Sequence, residues 1–359
     1  MVIMRLVNQL VLLSCVTSSI SAGQRIASKP GERALGARLD SAIRSDITSG
    51  FAGAVLVAKG DRIILDRGYG KTGGAQIQAN ARFWIASAGK QFTSAAIVKC
   101  AERGRLSLDD SIAHFFPDAP AEKRSITVRQ LLGHLSGFGQ SYAGESERNQ
   151  QGAVAKLLAV PLVDQPGAHF HYSNANYQLA VAIVERVSGT NYRRFVQDEF
   201  LTARGLGNTG FSGSPPARRV LAGRNPAPAR VDSAFWGGEG VFSSTTDLFR
   251  WYRALRAGRV FARGFGDSLF APVAPIEEGR TALGWFLGTA PTGEPTVFTR
   301  GNEDWGPNSL LYAYPDRDIV IVVLTHSGDS PAGPSWSRFV HAQVEKVVLA
   351  ARVSELKQE

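Results

Sequence analysis

Apolar residues recur with helical spacing at Leu35, Leu39, Ile43 and Ile47, which predicts a helix over Ala34–Ile47. The pattern then shortens. Gly53–Ala58 and Arg62–Leu65 are β-branched and aliphatic runs joined by Lys59-Gly60-Asp61, a hairpin signal. Phe83–Ala86 reads as a further strand run that gives way to an amphipathic helix over Ser87–Arg103. Gly104 stops that helix, because glycine enters the closing left-handed turn without strain. From Leu106 to about Arg263 the periodicity is mostly helical, and Pro215, Pro216, Pro226 and Pro228 mark Ser212–Asp232 as loop. Strands return at Leu283–Gly288, Ser309–Tyr314 and Ile319–Thr325, with Pro315–Asp318 as a turn, and Phe339–Leu356 closes as a helix. No repeat period is present.

This order places strands at both ends of the chain and helices in the middle. The simplest α+β solution is one antiparallel sheet built from both chain ends and flanked by helices, with a mostly helical lobe inserted. The sheet lobe is expected over residues 33–85 and 281–357 and the helical lobe over 86–280. A cleft between two such lobes is where sites preferentially form.

Composition narrows the function. The chain has 359 residues, 44% hydrophobic and 20% charged, so it reads as globular rather than disordered. No apolar run approaches the ~20 residues of a membrane span. The net charge of +9 invites a nucleic-acid reading. Yet the arginines are scattered, with no basic run longer than Arg193–Arg194 or Arg218–Arg219, and no nucleic-acid partner is expected.

The N-terminus differs from the rest. Arg5 precedes the mostly apolar Leu6–Val16, and small residues follow at Thr17, Ser18, Ser19, Ser21 and Ala22. That is the order a secretory signal peptide needs. Residues 1–22 are read as a signal, leaving 23–359 as a single domain with a periplasmic or secreted location. Leu12-Leu13-Ser14-Cys15 also looks like a lipobox, so membrane attachment is expected only if Cys15 is lipidated. Cys100 is then left alone, without a disulfide partner, as a buried inert thiol.

Several chemical signals fail. Gly70-Lys71-Thr72 lacks the glycine that opens a phosphate loop, and neither G-x-S-x-G nor H-E-x-x-H occurs. His169 and His171 are two apart with no third ligand in view, so no metal and no cofactor are expected. Ser-x-x-Lys occurs at Ser87–Lys90 and Ser354–Lys357, the second being a solvated helix end. In the first, the three-residue spacing lets the Lys90 amine reach the Ser87 hydroxyl. A serine at a helix start also lies beside unpaired N–H groups that stabilise an oxyanion. Against this stands an N-cap serine with a surface lysine, and the motif alone does not separate the two. Tyr172-Ser173-Asn174 supplies a phenol that, beside an ammonium, serves as a base. Taken alone it reads as a packed aromatic with a turn asparagine.

Together these segments resemble the serine β-lactamase and penicillin-binding protein superfamily, and above all its class C, D-Ala-D-Ala carboxypeptidase and esterase branches. The resemblance runs, in order, through Ile85–Thr93, Gly104–Asp110, Ile126–Gly137, Tyr172–Tyr177, Gly237–Asp247 and Tyr314–Asp318, and covers roughly residues 35 to 345. It implies the β-lactamase/transpeptidase-like fold and a serine hydrolase working through an acyl-enzyme on a small-molecule or peptide substrate. Ser87 would be the nucleophile, with Lys90 as base or base-tuner and Tyr172 as proton shuttle. Asn174 would orient the substrate or Lys90. The N–H groups of Ser87 and about Asn302 would form the oxyanion hole. The family's third motif, Lys-Thr-Gly or His-x-Gly on an edge strand, is absent: Phe298–Gly306 stands there. Either Thr299 takes the Lys/His place with Gly301 third, or Arg300 takes it with Asn302 third. The departure motivates a second reading, a non-catalytic binding or scaffold protein.

Overall fold

The computed structural model describes residues 25–26, 29–47, 49–144, 147, 149–212, 220–221 and 240–351. The segment read as a signal peptide with Cys15, the Ser354–Lys357 motif, the start of the Gly237–Asp247 segment and most of the proline-rich loop lie outside the described residues.

The strands in chain order are β1 (Arg25–Ile26), β2 (Gly53–Lys59), β3 (Arg62–Tyr69), β4 (Lys71–Thr72), β5 (Ala75–Gln76), β6 (Arg82–Trp84), β7 (Gly210–Phe211), β8 (Val220–Leu221) and β9 (Val241–Ser243). There follow β10 (Pro275–Ile276), β11 (Gly279–Thr281), β12 (Phe286–Thr289), β13 (Pro295–Asn302), β14 (Asn308–Tyr314) and β15 (Ile319–Thr325). The helices are α1 (Pro30–Ile47), α2 (Lys90–Glu102), α3 (Ile112–Phe115), α4 (Val128–Leu132), α5 (Gln150–Ala159), α6 (Asn174–Ser188), α7 (Tyr192–Val196), α8 (Thr245–Arg256) and α9 (Trp336–Leu349).

Strands from both chain ends form one sheet in the order β1-β3-β2-β15-β14-β13-β12-β11-β10. It is antiparallel except where β1 runs parallel to β3. β2 and β15 are continuous apolar runs because both of their faces are covered. Side chains alternate across a strand, and here the alternation divides two cores. Ala54, Leu56, Val320, Val322 and Leu324 point into the helical lobe. Val55, Val57, Ile319, Ile321 and Val323 point the other way, onto Leu35, Leu39 and Ile43 of α1 and Trp336, Val340, Val344 and Val348 of α9. The four-residue steps in both helices make the apolar stripe that caps this face.

Three elements differ from the sequence reading. α2 is buried almost all round, Gln91, Thr93 and Ser94 included, so it is a central helix and not an amphipathic one. Its polar side chains find partners inside: Thr93 bonds the Tyr192 hydroxyl at 2.8 Å and Ser94 that of Tyr177 at 3.3 Å. β12 begins only at Phe286, because Ala282 N–H donates to Trp285 O and Gly284, at φ +77°, turns the chain first. α9 runs over Trp336–Leu349, starting three residues before Phe339, and Leu356 lies outside the described residues.

Candidate active site

β6 leads into the serine. Phe83 and Trp84 pair with Ser243 and Phe242 of β9, and Ile85 N–H donates to Val241 O at 3.0 Å. Ala86 then adopts φ +49°, a left-handed value that costs an alanine about 1–2 kcal/mol. The chain enters a 3-10 turn over Ala86–Gly89 before α2 begins at Lys90. Ser87 therefore sits in a tight strained turn, not at the N-cap of α2, which is Gly89. Neighbouring strands hold the turn. Ser309 Oγ on β14 donates to Ile85 O at 2.6 Å, and Gly301 on β13 packs flush against the same backbone.

Lys90 is 3% exposed and its Nζ donates to Ser87 Oγ at 2.9 Å and to Asn174 Oδ1 at 2.8 Å. The Tyr172 hydroxyl donates to Ser87 Oγ at 2.7 Å. The ammonium also lies 5.0 Å from the Tyr172 ring centroid and 5.5 Å from that of Tyr177, so aromatic faces take part in its solvation. Four residues nominated from sequence thus meet at one point, although 84 residues separate Lys90 from Asn174.

A residue with no assigned role in the sequence holds the second arm of this cluster. His134 is 4% exposed at φ +60°, and its Nδ1 accepts the Ser173 N–H at 3.1 Å and the Asn176 amide at 3.3 Å. Its ring lies 4.5 Å from that of Tyr172. Burial, and then the charge of Lys90, push the imidazole well below its usual range. It is neutral, with Nδ1 as acceptor and the proton on Nε2. Ser173 Oγ donates to Gly139 O at 2.8 Å and Asn174 N–H to Gln140 Oε1 at 2.9 Å, which fixes the start of α6. The only sequence signal for His134 was its place within Ile126–Gly137.

β13 supplies the opposite wall. Its pairing with β12 ends at Phe286↔Phe298, so from Thr299 onward that edge is open toward the cavity. A Cβ on Gly301 would stand 2.3 Å from Ile85 O and 2.7 Å from Ser87 N, which places residue 301 on the serine side. Thr299, two residues back and 1% exposed, shares that face. The Thr299–Gly301 register is the one present. Arg300 leaves by the other face, where its guanidinium lies 5.5 Å and 5.6 Å from the Phe286 and Phe298 rings and pairs with Glu278 at 2.6 Å. Asn302 is exposed and lines the cavity. The cavity measures about 820 Å³ and reaches from Ser87, Lys90 and Tyr172 past Phe170 and Trp285 to the start of α9.

Two other sequence features lie elsewhere. His169 Nδ1 and His171 Nε2 both meet Asp164 Oδ2, at 2.7 and 3.0 Å, and the bonds from His171 and His169 lower that carboxyl to about 2. Among the described residues no group of three or more His, Cys, Asp or Glu is placed to hold a metal ion. Cys100 is 1% exposed, and burial pushes its thiol up to about 12.

Residues 39–345 match the family described as Beta-lactamase. The chain belongs to the beta-lactamase family. Among its relatives, this beta-lactamase family member is 26% identical over 321 residues to protein flp of Staphylococcus aureus (strain COL), across 80% of this chain. The aligned region spans about 62% of that relative's own length. Among solved structures, a class C beta-lactamase superposes with a TM-score of 0.77 at 18% identity, covering 91% of this chain and 99% of that one. The D-amino acid amidase from Ochrobactrum anthropi SV3, complexed with D-phenylalanine, superposes at 0.75 with 17% identity, covering 88% and 99%. The fold is shared with beta-lactamases, penicillin-binding proteins and an amidase.

Proposed function

We propose that this protein is a secreted serine hydrolase that acts through an acyl-enzyme and prefers small uncharged esters or amides. The observation that carries the reading is the Ser87 hydroxyl, held at 2.9 Å from a buried amine and 2.7 Å from a phenol at the floor of an open cavity. A serine is a weak nucleophile until an adjacent group takes its proton. Lys90 and Tyr172 both stand within reach. Tyr172 is only half-buried whereas Lys90 is enclosed, so the phenol is the group placed to pass a proton to a leaving group. Asn174 holds Lys90 in line. Gly301 brings the β13 backbone against Ser87 N, which favours the N–H groups of Ser87 and Asn302 as the oxyanion pair.

Substrate preference rests on Thr299. It stands where the family pattern that the sequence resembles has a lysine or histidine to receive a carboxylate, and it brings no charge. Losing a charge-assisted bond of about 1.5–3 kcal/mol weakens carboxylate substrates roughly ten- to a hundredfold, while neutral esters need no such partner. Membership of the beta-lactamase family, with a fold shared with beta-lactamases and an amidase, supports acyl transfer in general. Export rests on the order of residues in the N-terminal segment, and a mature N-terminus near Ala22 by protein sequencing is the expected result.

A fluorophosphonate probe should label the protein and fail to label Ser87→Ala. For the purified enzyme, kcat/KM on p-nitrophenyl butyrate should exceed that on a chromogenic cephalosporin. Wild type that is folded yet neither labelled nor active on any acyl substrate would favour the binding or scaffold reading. Efficient cephalosporin turnover would overturn the ester preference alone.

A further inference from the structure

The outer arm of the cavity carries a charge arrangement that the hydrolytic machinery does not use. Glu278 follows β10, in the turn to β11, and its two carboxylate oxygens are both engaged. Oε2 forms an ion pair with Arg300 at 2.6 Å and Oε1 accepts from Arg338 of α9 at 3.1 Å. One carboxylate therefore ties together the open end of β13, a hairpin turn and the last helix. Arg300 is further held over Phe286 and Phe298, whereas Arg338, about half exposed, has the looser bond. Among the described residues lining the cavity, the cations Lys90, Arg300 and Arg338 are matched by the carboxylates Glu277, Glu278 and Asp329. The cavity is balanced, and its two outer guanidiniums are occupied.

We infer that Glu278 is a specificity-determining residue: it occupies the guanidiniums of Arg300 and Arg338, so that a substrate carboxylate finds no free cation in the cavity. An arginine fork binds a carboxylate well because two parallel donors match two acceptors. Here each guanidinium is already paired with one oxygen of an internal carboxylate. An incoming one must displace it at no net gain in charge pairing. Removing the charge from Glu278 while keeping its shape leaves the cavity one unit more positive with two guanidiniums released toward it. Carboxylate-bearing acyl substrates then become favoured. Both arginines are partly exposed, so water screens the gain and the expected effect is about tenfold rather than a hundredfold. This inference deepens the hydrolase reading above and rests on it for the kinetic arm of its test.

The test uses p-nitrophenyl hexanoate and p-nitrophenyl hemiadipate, which match in length and differ by one carboxylate. The ratio of kcat/KM, hemiadipate over hexanoate, should rise about tenfold in Glu278→Gln and shrink again in 0.5 M NaCl. It should fall to the wild-type value or below when Arg300→Ala and Arg338→Ala are added, because that cavity is left with one excess carboxylate. A ratio unmoved in a Glu278→Gln protein that melts cooperatively overturns the inference, as does a rise that survives loss of both arginines. Should Glu278→Gln not fold, Arg300→Gln gives the reverse test, because it leaves the cavity with excess carboxylate, and the ratio must fall several-fold. A binding arm separates this inference from the hydrolase reading. Adipate titrated calorimetrically into Ser87→Ala and into Ser87→Ala/Glu278→Gln should bind about tenfold tighter to the second. If no variant hydrolyses either ester, the hydrolase reading fails, and equal adipate affinity in that pair still overturns the role of Glu278.

Discussion

Adding one methyl group at Gly301 should disable the site without touching any side chain in it. A Cβ there would stand 2.3 Å from Ile85 O, 2.7 Å from the Ala86 Cβ and 2.7 Å from Ser87 N. Two of these are backbone atoms in a turn already bent through φ +49° at Ala86, so no flexible side chain is available to yield. Restoring a carbon–oxygen contact of ~3.3 Å requires β13 and the serine turn to separate by ~1 Å. The fold should absorb this at about 1–3 kcal/mol, the usual cost of overpacking. The chemistry should suffer more. A shift of that size moves Ser87 away from Lys90 and Tyr172, now at 2.9 and 2.7 Å, and displacements of ~1 Å cost about a hundredfold in rate. The expected outcome for Gly301→Ala is a cooperative melt a few degrees below wild type with kcat/KM on p-nitrophenyl butyrate down about a hundredfold. Gly207→Ala, whose Cβ would meet nothing within 4 Å, is the control and should match wild type in both. Wild-type kcat/KM in Gly301→Ala would refute the claim that this glycine sets the position of the serine.

Three further outcomes are expected. Tyr172→Phe removes the hydroxyl 2.7 Å from Ser87 Oγ, and steady-state kinetics should show kcat reduced by roughly 10²–10⁴ with little change in melting temperature. His134→Asn keeps an acceptor and a residue tolerant of φ +60°, whereas His134→Val loses the acceptor for Ser173 N–H and places a β-branched side chain in a left-handed conformation. Urea melts should show His134→Val destabilised by about 2–5 kcal/mol and His134→Asn by clearly less. His341 is buried, and burial first, then Arg338, lowers its imidazole from 6.5 to about 4. Its folded form is neutral and the unfolded chain binds the extra proton. Its contribution is therefore complete above about pH 6.5 and is lost as pH falls toward 4, up to roughly 3 kcal/mol. Thermal melts across that window should fall more steeply in wild type than in His341→Gln.

The sequence by itself determined what depends on near neighbours along the chain. The apolar runs of β2 and β15 announce strands because they are short, β-branched and bounded by turns, and β14 because it is a short aliphatic and aromatic run ending at Pro315. The three-residue step from Ser87 to Lys90 brings two functional atoms together on any helical turn, and the order of strands and helices implied a sheet closed from both ends. Tertiary structure decided whatever needs a partner distant in sequence. The turn at Ser87 is a strained 3-10 bend and not a helix cap, because Ser309 and Gly301 from strands more than two hundred residues away pin its backbone. α2 carries polar residues that read as an exposed face, yet Tyr177 and Tyr192 cover them. The choice between Thr299 and Arg300 stayed open in the sequence because a strand has two equivalent faces until something packs on one. The absence of a side chain at Gly301 settles it by bringing β13 against the serine turn. The pairing of Glu278 with Arg300 and Arg338 belongs to the same class: charges from a hairpin, a strand and a helix meet only when the sheet edge and α9 are folded together.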